Sequence, residues 1–138
     1  MILYNVENTK IPPIPRRKIS AWIKAIAAQN DKKVGDIAYI FCSDERMLEI
    51  NQQYLKHDYY TDIITFDYSE KTMISGDIFI SPDTVRSNAE KFGTGFENEL
   101  YRVMIHGVLH LCGFRDKTPA EEKEMRRQED TALLLLDK

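Results

Sequence analysis

Long apolar runs are missing from this 138-residue sequence. The C-terminal leucine run, Leu133 to Leu136, spans four residues, whereas a membrane-crossing helix needs about 20. The N-terminus, Met1 to Glu7, has no basic stretch followed by an apolar one, so no export signal is expected. Cysteine is scarce: Cys42 and Cys112 lie far apart and read as reduced, buried thiols of a cytoplasmic protein rather than as a disulfide or metal ligands. An excess of one charge is also lacking. Nineteen Lys and Arg face 22 Asp and Glu, for a net charge of −3, which excludes whole-protein attraction to nucleic acid and leaves only a local basic patch to bind it. No repeat or low-complexity tract is visible. With 43% hydrophobic and 30% charged residues the chain can fill one core, and its length suits a single domain over residues 1–138.

Periodicity predicts the elements. Ile2 to Val6 reads as a first strand. Three prolines in Ile11-Pro12-Pro13-Ile14-Pro15 exclude helix interior there. A helix follows from about Arg16 to Asn30, with Ile19, Trp22, Ile23, Ile26 and Ala27 on one face. Ile37 to Cys42 reads as a buried strand. Ser43 and Asp44 start a helix that carries Met47, Ile50 and Tyr54. A polar loop, Lys56 to Asp62, leads to strands at Ile63 to Tyr68 and Asp77 to Ser81, with Ser69 to Gly76 as the turn between antiparallel neighbours. Ser81-Pro82 opens a helix bearing Val85, Ala89 and Phe92, and Gly93 closes it. Thr94-Gly95-Phe96-Glu97 has the form of a capping box before a helix from Phe96 to about Leu111. Thr118-Pro119-Ala120-Glu121 is a second such box, before a C-terminal helix. The expected fold is α+β, a mixed four-stranded sheet packed by about five helices.

The chain has three histidines, and two of them fall in His106-Gly107-Val108-Leu109-His110-Leu111-Cys112-Gly113-Phe114-Arg115-Asp116. Residues four apart on a helix share a face, so His106 and His110 can reach one ion. Gly113 permits a reversal through positive φ that can return Asp116 as a third ligand. A helical histidine pair also occurs as plain core or surface residues; the glycine and carboxylate at matching offsets favour the metal. Two His, a glycine turn and a third ligand resemble the metzincin scaffold, and three protein ligands leave a position open for water. The peptidase motif has its general base directly after the first His. Here that position is Gly107, so peptide hydrolysis by the usual route is not expected.

These residues resemble the YbeY family of metal-dependent endoribonucleases, which act in ribosomal RNA maturation. Its signature, His-Gly-x-Leu-His-Leu-x-Gly-Tyr-Asp-His, is matched by His106, Gly107, Leu109, His110, Leu111 and Gly113, with Phe114 in the aromatic place. Ile50-Asn51-Gln52-Gln53-Tyr54 to Thr61-Asp62-Ile63-Ile64-Thr65-Phe66 resembles a second family stretch, and Gly76-Asp77-Ile78-Phe79-Ile80-Ser81 a third. The resemblance implies a single-strand endoribonuclease with one divalent ion, zinc, held by His106, His110 and Asp116. It implies action on the 3′ end of small-subunit ribosomal RNA and in ribosome quality control. The implied partners are that RNA and the small subunit or associated proteins, in the cytoplasm and away from membranes.

Two departures stand out. Asp116 replaces the family's third His, which lowers the site charge from +2 to +1 and suits iron or manganese as well as zinc. Leu55 replaces an Arg that is thought to serve cleavage, so Lys56, His57 and Arg115 become the candidate phosphate-binding residues. Each has a plain alternative. Lys56 is equally a solvated loop lysine, His57 a partner of Asp58 or Asp62, and Arg115 a partner of Glu121 or Glu122. Tyr59 and Tyr60 can stack on bases or pack at the loop edge, Asp62 reads as a turn residue, and no general base is assigned. Two other functions fit the sequence: a ribosome-associated assembly protein with a structural metal, and a hydrolase of another substrate on the same scaffold.

Overall fold

A computed structural model describes residues 1–55 and 61–136. The chain runs β1 (Ile2–Glu7), α1 (Arg16–Gln29), β2 (Lys33–Cys42), α2 (Asp44–Ile50), a π-helical turn (Asn51–Leu55), β3 (Ile63–Asp67), β4 (Met73–Ile80), α3 (Pro82–Phe92), α4 (Phe96–Leu111) and α5 (Pro119–Leu136). The four strands form one sheet in the order β1-β2-β4-β3. β1 and β4 run parallel to β2, and β3 pairs antiparallel with β4. This is the expected mixed sheet with five helices.

Alternation places Ile37, Tyr39 and Phe41 of β2 and Ile74, Gly76, Ile78 and Ile80 of β4 on the face that builds the main core with α1, α4 and α5. The helical stripe of α1 is buried as its spacing requires. Two polar aromatic groups enter this core with partners: Tyr39 Oη donates to the Met104 carbonyl (3.0 Å) and Trp22 Nε1 to the Ala132 carbonyl (2.8 Å). The other face carries a smaller cluster of Cys42, Met47, Ile50 and Ile64 under α2. Ser43 caps α2 through Arg46 N and Ser81 caps α3 through Thr84 N, each at 3.2 Å. The Asp44 carboxylate accepts from both Ser81 Oγ and Thr84 Oγ1, tying the two helix starts together. No helix among the described residues is long and apolar enough to cross a membrane.

Several expectations need correction. β4 begins at Met73, so Ile74 to Gly76 is strand rather than turn. Gly76 is there for close approach: a Cβ would lie 2.3 Å from the Phe66 carbonyl oxygen. The hairpin turns at Lys71, whose φ of 52° is unusual for a residue other than Gly or Asn and left no turn signal. β2 starts earlier, at Lys33, across a register shift between Val34 and Ile37. Tyr54 is 58% exposed because the π turn inserts extra arc after Ile50 and rotates it off the core stripe. Phe92, the last residue of α3, is likewise exposed. The first capping box does not form: the N-cap of α4 is Gly95, without a side-chain bond. The second forms reciprocally, Thr118 N to Glu121 Oε1 (3.0 Å) and Glu121 N to Thr118 Oγ1 (3.1 Å). Both cysteines are free, Cys42 buried and Cys112 only half-buried. Burial pushes their thiols up to about 12 and about 11 respectively, so neither offers a thiolate at neutral pH.

Candidate metal centre

α4 ends in a Schellman arrangement that builds the site. Gly113, at φ +107°, donates its N–H to the His110 carbonyl, and Phe114 donates to Leu109, both at 3.0 Å. The chain therefore reverses within two residues of the helix end. This reversal brings Asp116 back over the histidine face. Asp116 Oδ2 lies 3.3 Å from His106 Nε2 and 3.4 Å from His110 Nε2. Ligand atoms of these three residues all fall within 4.8 Å of one another.

The outward nitrogens of both rings are committed. His106 Nδ1 meets Glu129 Oε2 at 2.6 Å, and His110 Nδ1 meets the Phe114 carbonyl at 3.0 Å. A carbonyl can only accept, so His110 carries its proton on Nδ1 and presents a lone pair at Nε2 toward Asp116. The carboxylate of Glu129 favours the same tautomer for His106. Two imidazole lone pairs and one carboxylate oxygen converging on a point, each imidazole held from behind by an acceptor, is the donor set a divalent ion requires. The residues present fit one such ion.

Glu129 is itself held. Arg102 donates to its Oε1 (2.9 Å) and to Asp130 Oδ1 (2.6 Å). Burial alone lowers the His106 pKa, but the Glu129 hydrogen bond and the charges of Glu129, Asp116 and Asp62 outweigh it and hold the ring above the usual histidine value. Burial raises the Asp62 carboxyl, which accepts from Asn88 Nδ2 at 3.4 Å. The three candidate ligands line an open cleft of about 600 Å³ between β3 and helices α4 and α5. Asp62, Glu99, Arg102 and Arg126 face the same space.

The family model described as Endoribonuclease YbeY matches residues 4–137. The chain is 58% identical over 135 residues to Endoribonuclease YbeY of Parabacteroides distasonis, covering 98% of this chain and 95% of that one. It is 58% identical over 136 residues to Endoribonuclease YbeY of Phocaeicola vulgatus, covering 99% of each. The chain belongs to the YbeY family. A solution structure of a Thermotoga maritima protein superimposes with a TM-score of 0.64 at 27% identity, covering 96% of this chain and 89% of that one.

Gly107, the glycine between the YbeY histidines, shows why no peptidase base stands there. It is buried against the sheet, and a Cβ would sit 3.0 Å from Ile78 Cδ1 and 3.2 Å from Ile63 Cδ1. Arg115 is exposed, lies outside the cleft lining and pairs with neither Glu121 nor Glu122 among the described residues. Lys56 and His57, with Tyr59 and Tyr60, lie outside the described residues, as does the side chain of Leu55. Sequence reasoning missed Glu129, Glu99 and Arg102. A signal was available: Glu129 sits on the buried stripe Met125, Ala132, Leu133 and Leu136 of α5, where a charge needs a reason.

Glu129→Gln removes the charge behind His106 and nearly preserves shape. Metal affinity should fall about 10- to 100-fold, measured by competition with a chromogenic chelator, while circular dichroism stays unchanged. Unaltered affinity would mean that Glu129 does not set the orientation of His106.

Proposed function

We propose that this protein is a metal-dependent endoribonuclease that cuts single-stranded RNA in ribosomal RNA maturation, at the 3′ end of small-subunit RNA, and serves ribosome quality control. Its partners on this reading are that RNA and the small subunit or its associated proteins, in the cytoplasm. The observation that carries the proposal is the convergence of His106 Nε2, His110 Nε2 and Asp116 Oδ2 in a cleft, in a chain of the YbeY family.

His106, His110 and Asp116 are the proposed ligands, and zinc the proposed ion, since three N and O ligands beside open space are the pattern of a catalytic rather than a closed structural zinc site. When bound, a divalent ion supplies Lewis acidity toward a phosphoryl oxygen. The protein supplies the rest. Glu129 and the Phe114 carbonyl fix both ring tautomers. Arg126 lines the cleft with no salt bridge among the described residues, its charge acting on the nearby Glu99, and is the proposed cation for phosphoryl oxygens that gain charge as the bond breaks. Lys56, His57 and Arg115 remain the proposed outer phosphate contacts. Asp62 faces the same cleft, where burial raises its carboxyl, and is the proposed proton-transfer group.

The test is cleavage of structured ribosomal RNA by purified protein beside an identically purified His110→Ala variant. Cleavage by the first alone is the expected result. Equal cleavage by both would expose a contaminating nuclease, and cleavage by neither would favour an assembly role.

A further inference from the structure

The cleft is poorly charged for holding a polyanion. Its lining carries the carboxylates of Asp62, Asp67, Glu99, Asp116 and Glu129 against Arg102 and Arg126. A divalent ion does not reverse that balance. RNA affinity draws chiefly on phosphate contacts to Lys and Arg, so contacts outside the cleft are needed.

The arginines divide by role. Arg46, Arg86, Arg102 and Arg127 each hold a carboxylate. Arg16, Arg17, Arg115 and Arg126 form no salt bridge among the described residues, and of these Arg126 lines the cleft while Arg16 and Arg17 lie side by side. Both line a second groove, where α1 lies along β1, together with Lys24, Tyr4, Asn5 and Ser20. No acidic residue lines it. Arg16, Arg17 and Lys24 are exposed, and Arg16 stacks over the Tyr4 ring at 5.7 Å. The first turn of α1 contains Arg16, Arg17 and Lys18 and no acid, a placement the helix dipole disfavours, so helix stability does not explain it. Arg17 and Lys24 lie two turns apart on one helix face, roughly 10 Å along the axis, so the two cations meet separate phosphates of one strand rather than the same one. β1 is an edge strand, so its outer main-chain groups are open to hydrogen bonding. The groove borders β1 and the cleft borders β3, the two edges of the four-stranded sheet, which are three strand spacings or about 14 Å apart.

We propose that the α1–β1 groove is an exosite for the sugar–phosphate backbone of single-stranded RNA, with Arg16, Arg17 and Lys24 as its phosphate contacts; this rests on the endoribonuclease reading above. The cations disfavour pairing of β1 with β1 of a second copy, since two such patches would face each other. The exosite supplies uniform binding, so it lowers KM without touching the chemical step.

The experiment compares wild type with Arg17→Glu/Lys24→Glu and the neutral Arg17→Gln/Lys24→Gln, all metal-loaded. The substrate is a single-stranded ribosomal RNA fragment of about twenty nucleotides, cleaved over a series of salt concentrations. Charge reversal should raise KM about tenfold at low salt with kcat unchanged, and reduce the slope of log(kcat/KM) against log salt by about 1.4, near 0.7 for each lost phosphate contact. The neutral pair should fall between, and matched thermal unfolding of all three shows the fold intact. Wild-type KM and slope in both variants would overturn the exosite while leaving the nuclease reading in place. Absence of metal-dependent cleavage in the wild type overturns both. A glutamate-rich peptide that binds wild type but not the charge-reversed variant, with RNA kinetics unchanged, would assign the groove to an acidic protein partner instead.

Discussion

His106→Ala should abolish stoichiometric metal binding and reduce RNA cleavage by more than a hundredfold. The side chain serves in two ways. Its Nε2 faces Asp116 Oδ2 at 3.3 Å, and its Nδ1 occupies one oxygen of the buried Glu129. Removing it leaves two candidate ligands, so the loss should exceed the 10- to 100-fold typical of an outer-shell change. It also leaves Glu129 with Arg102 as its remaining partner, costing about 1–3 kcal/mol for the uncompensated oxygen. Elemental analysis of the purified variant, with thermal unfolding at increasing metal concentration, checks both effects. Wild type should gain about 2.7 kcal/mol at a metal concentration a hundredfold above Kd, and the variant nothing. Chelation of the wild type should leave a folded, inactive protein, because the main core is built from the sheet and α1, α4 and α5 without the site. Unfolding on chelation would instead make the ion structural. Full metal occupancy in His106→Ala would remove this residue from the ligand set.

Gly107→Glu, which places a peptidase-like base beside the first histidine, should unfold the protein rather than create a peptidase. Gly107 is the point where α4 lies against β3 and β4, with Ile78 and Ile63 side-chain atoms 3.0–3.2 Å from any added Cβ. A glutamate there overpacks the contact, at about 1–3 kcal/mol, and buries a carboxylate among isoleucines at several kcal/mol more. The sum rivals the whole stability of a typical domain. Gly107→Ala should be tolerated, because the helix propensity of alanine, worth about 1 kcal/mol over glycine, offsets part of the crowding. Urea denaturation of both variants measures this. A Gly107→Glu protein with the wild-type midpoint would mean that α4 does not pack this closely.

Local chemistry made much of the molecule legible. The α1 stripe, the Phe96–Leu111 helix, the Ser43 and Ser81 caps and the Thr118–Glu121 box depend on residues within a few positions of one another, and the structure has each of them. Where reading failed, a longer-range contact overrode the local signal. Gly76 looked like a turn residue but admits the Phe66 carbonyl and Leu111. Tyr54 had helical spacing until the π turn broke the period. Thr94 and Glu97 had the form of a box, but the helix began one residue too late to use it.

The site divides in the same way. By itself the sequence determined the histidine pair and the glycine reversal, because helical pitch and the positive φ of Gly113 are local properties that bring Asp116 within reach. Only tertiary packing decided which groups stand behind the histidines. Glu129 reaches His106 from α5 and Arg102 reaches Glu129 from α4, across 23 and 27 positions of chain, and no local spacing encodes a contact between two helices that meet only when the core between them closes.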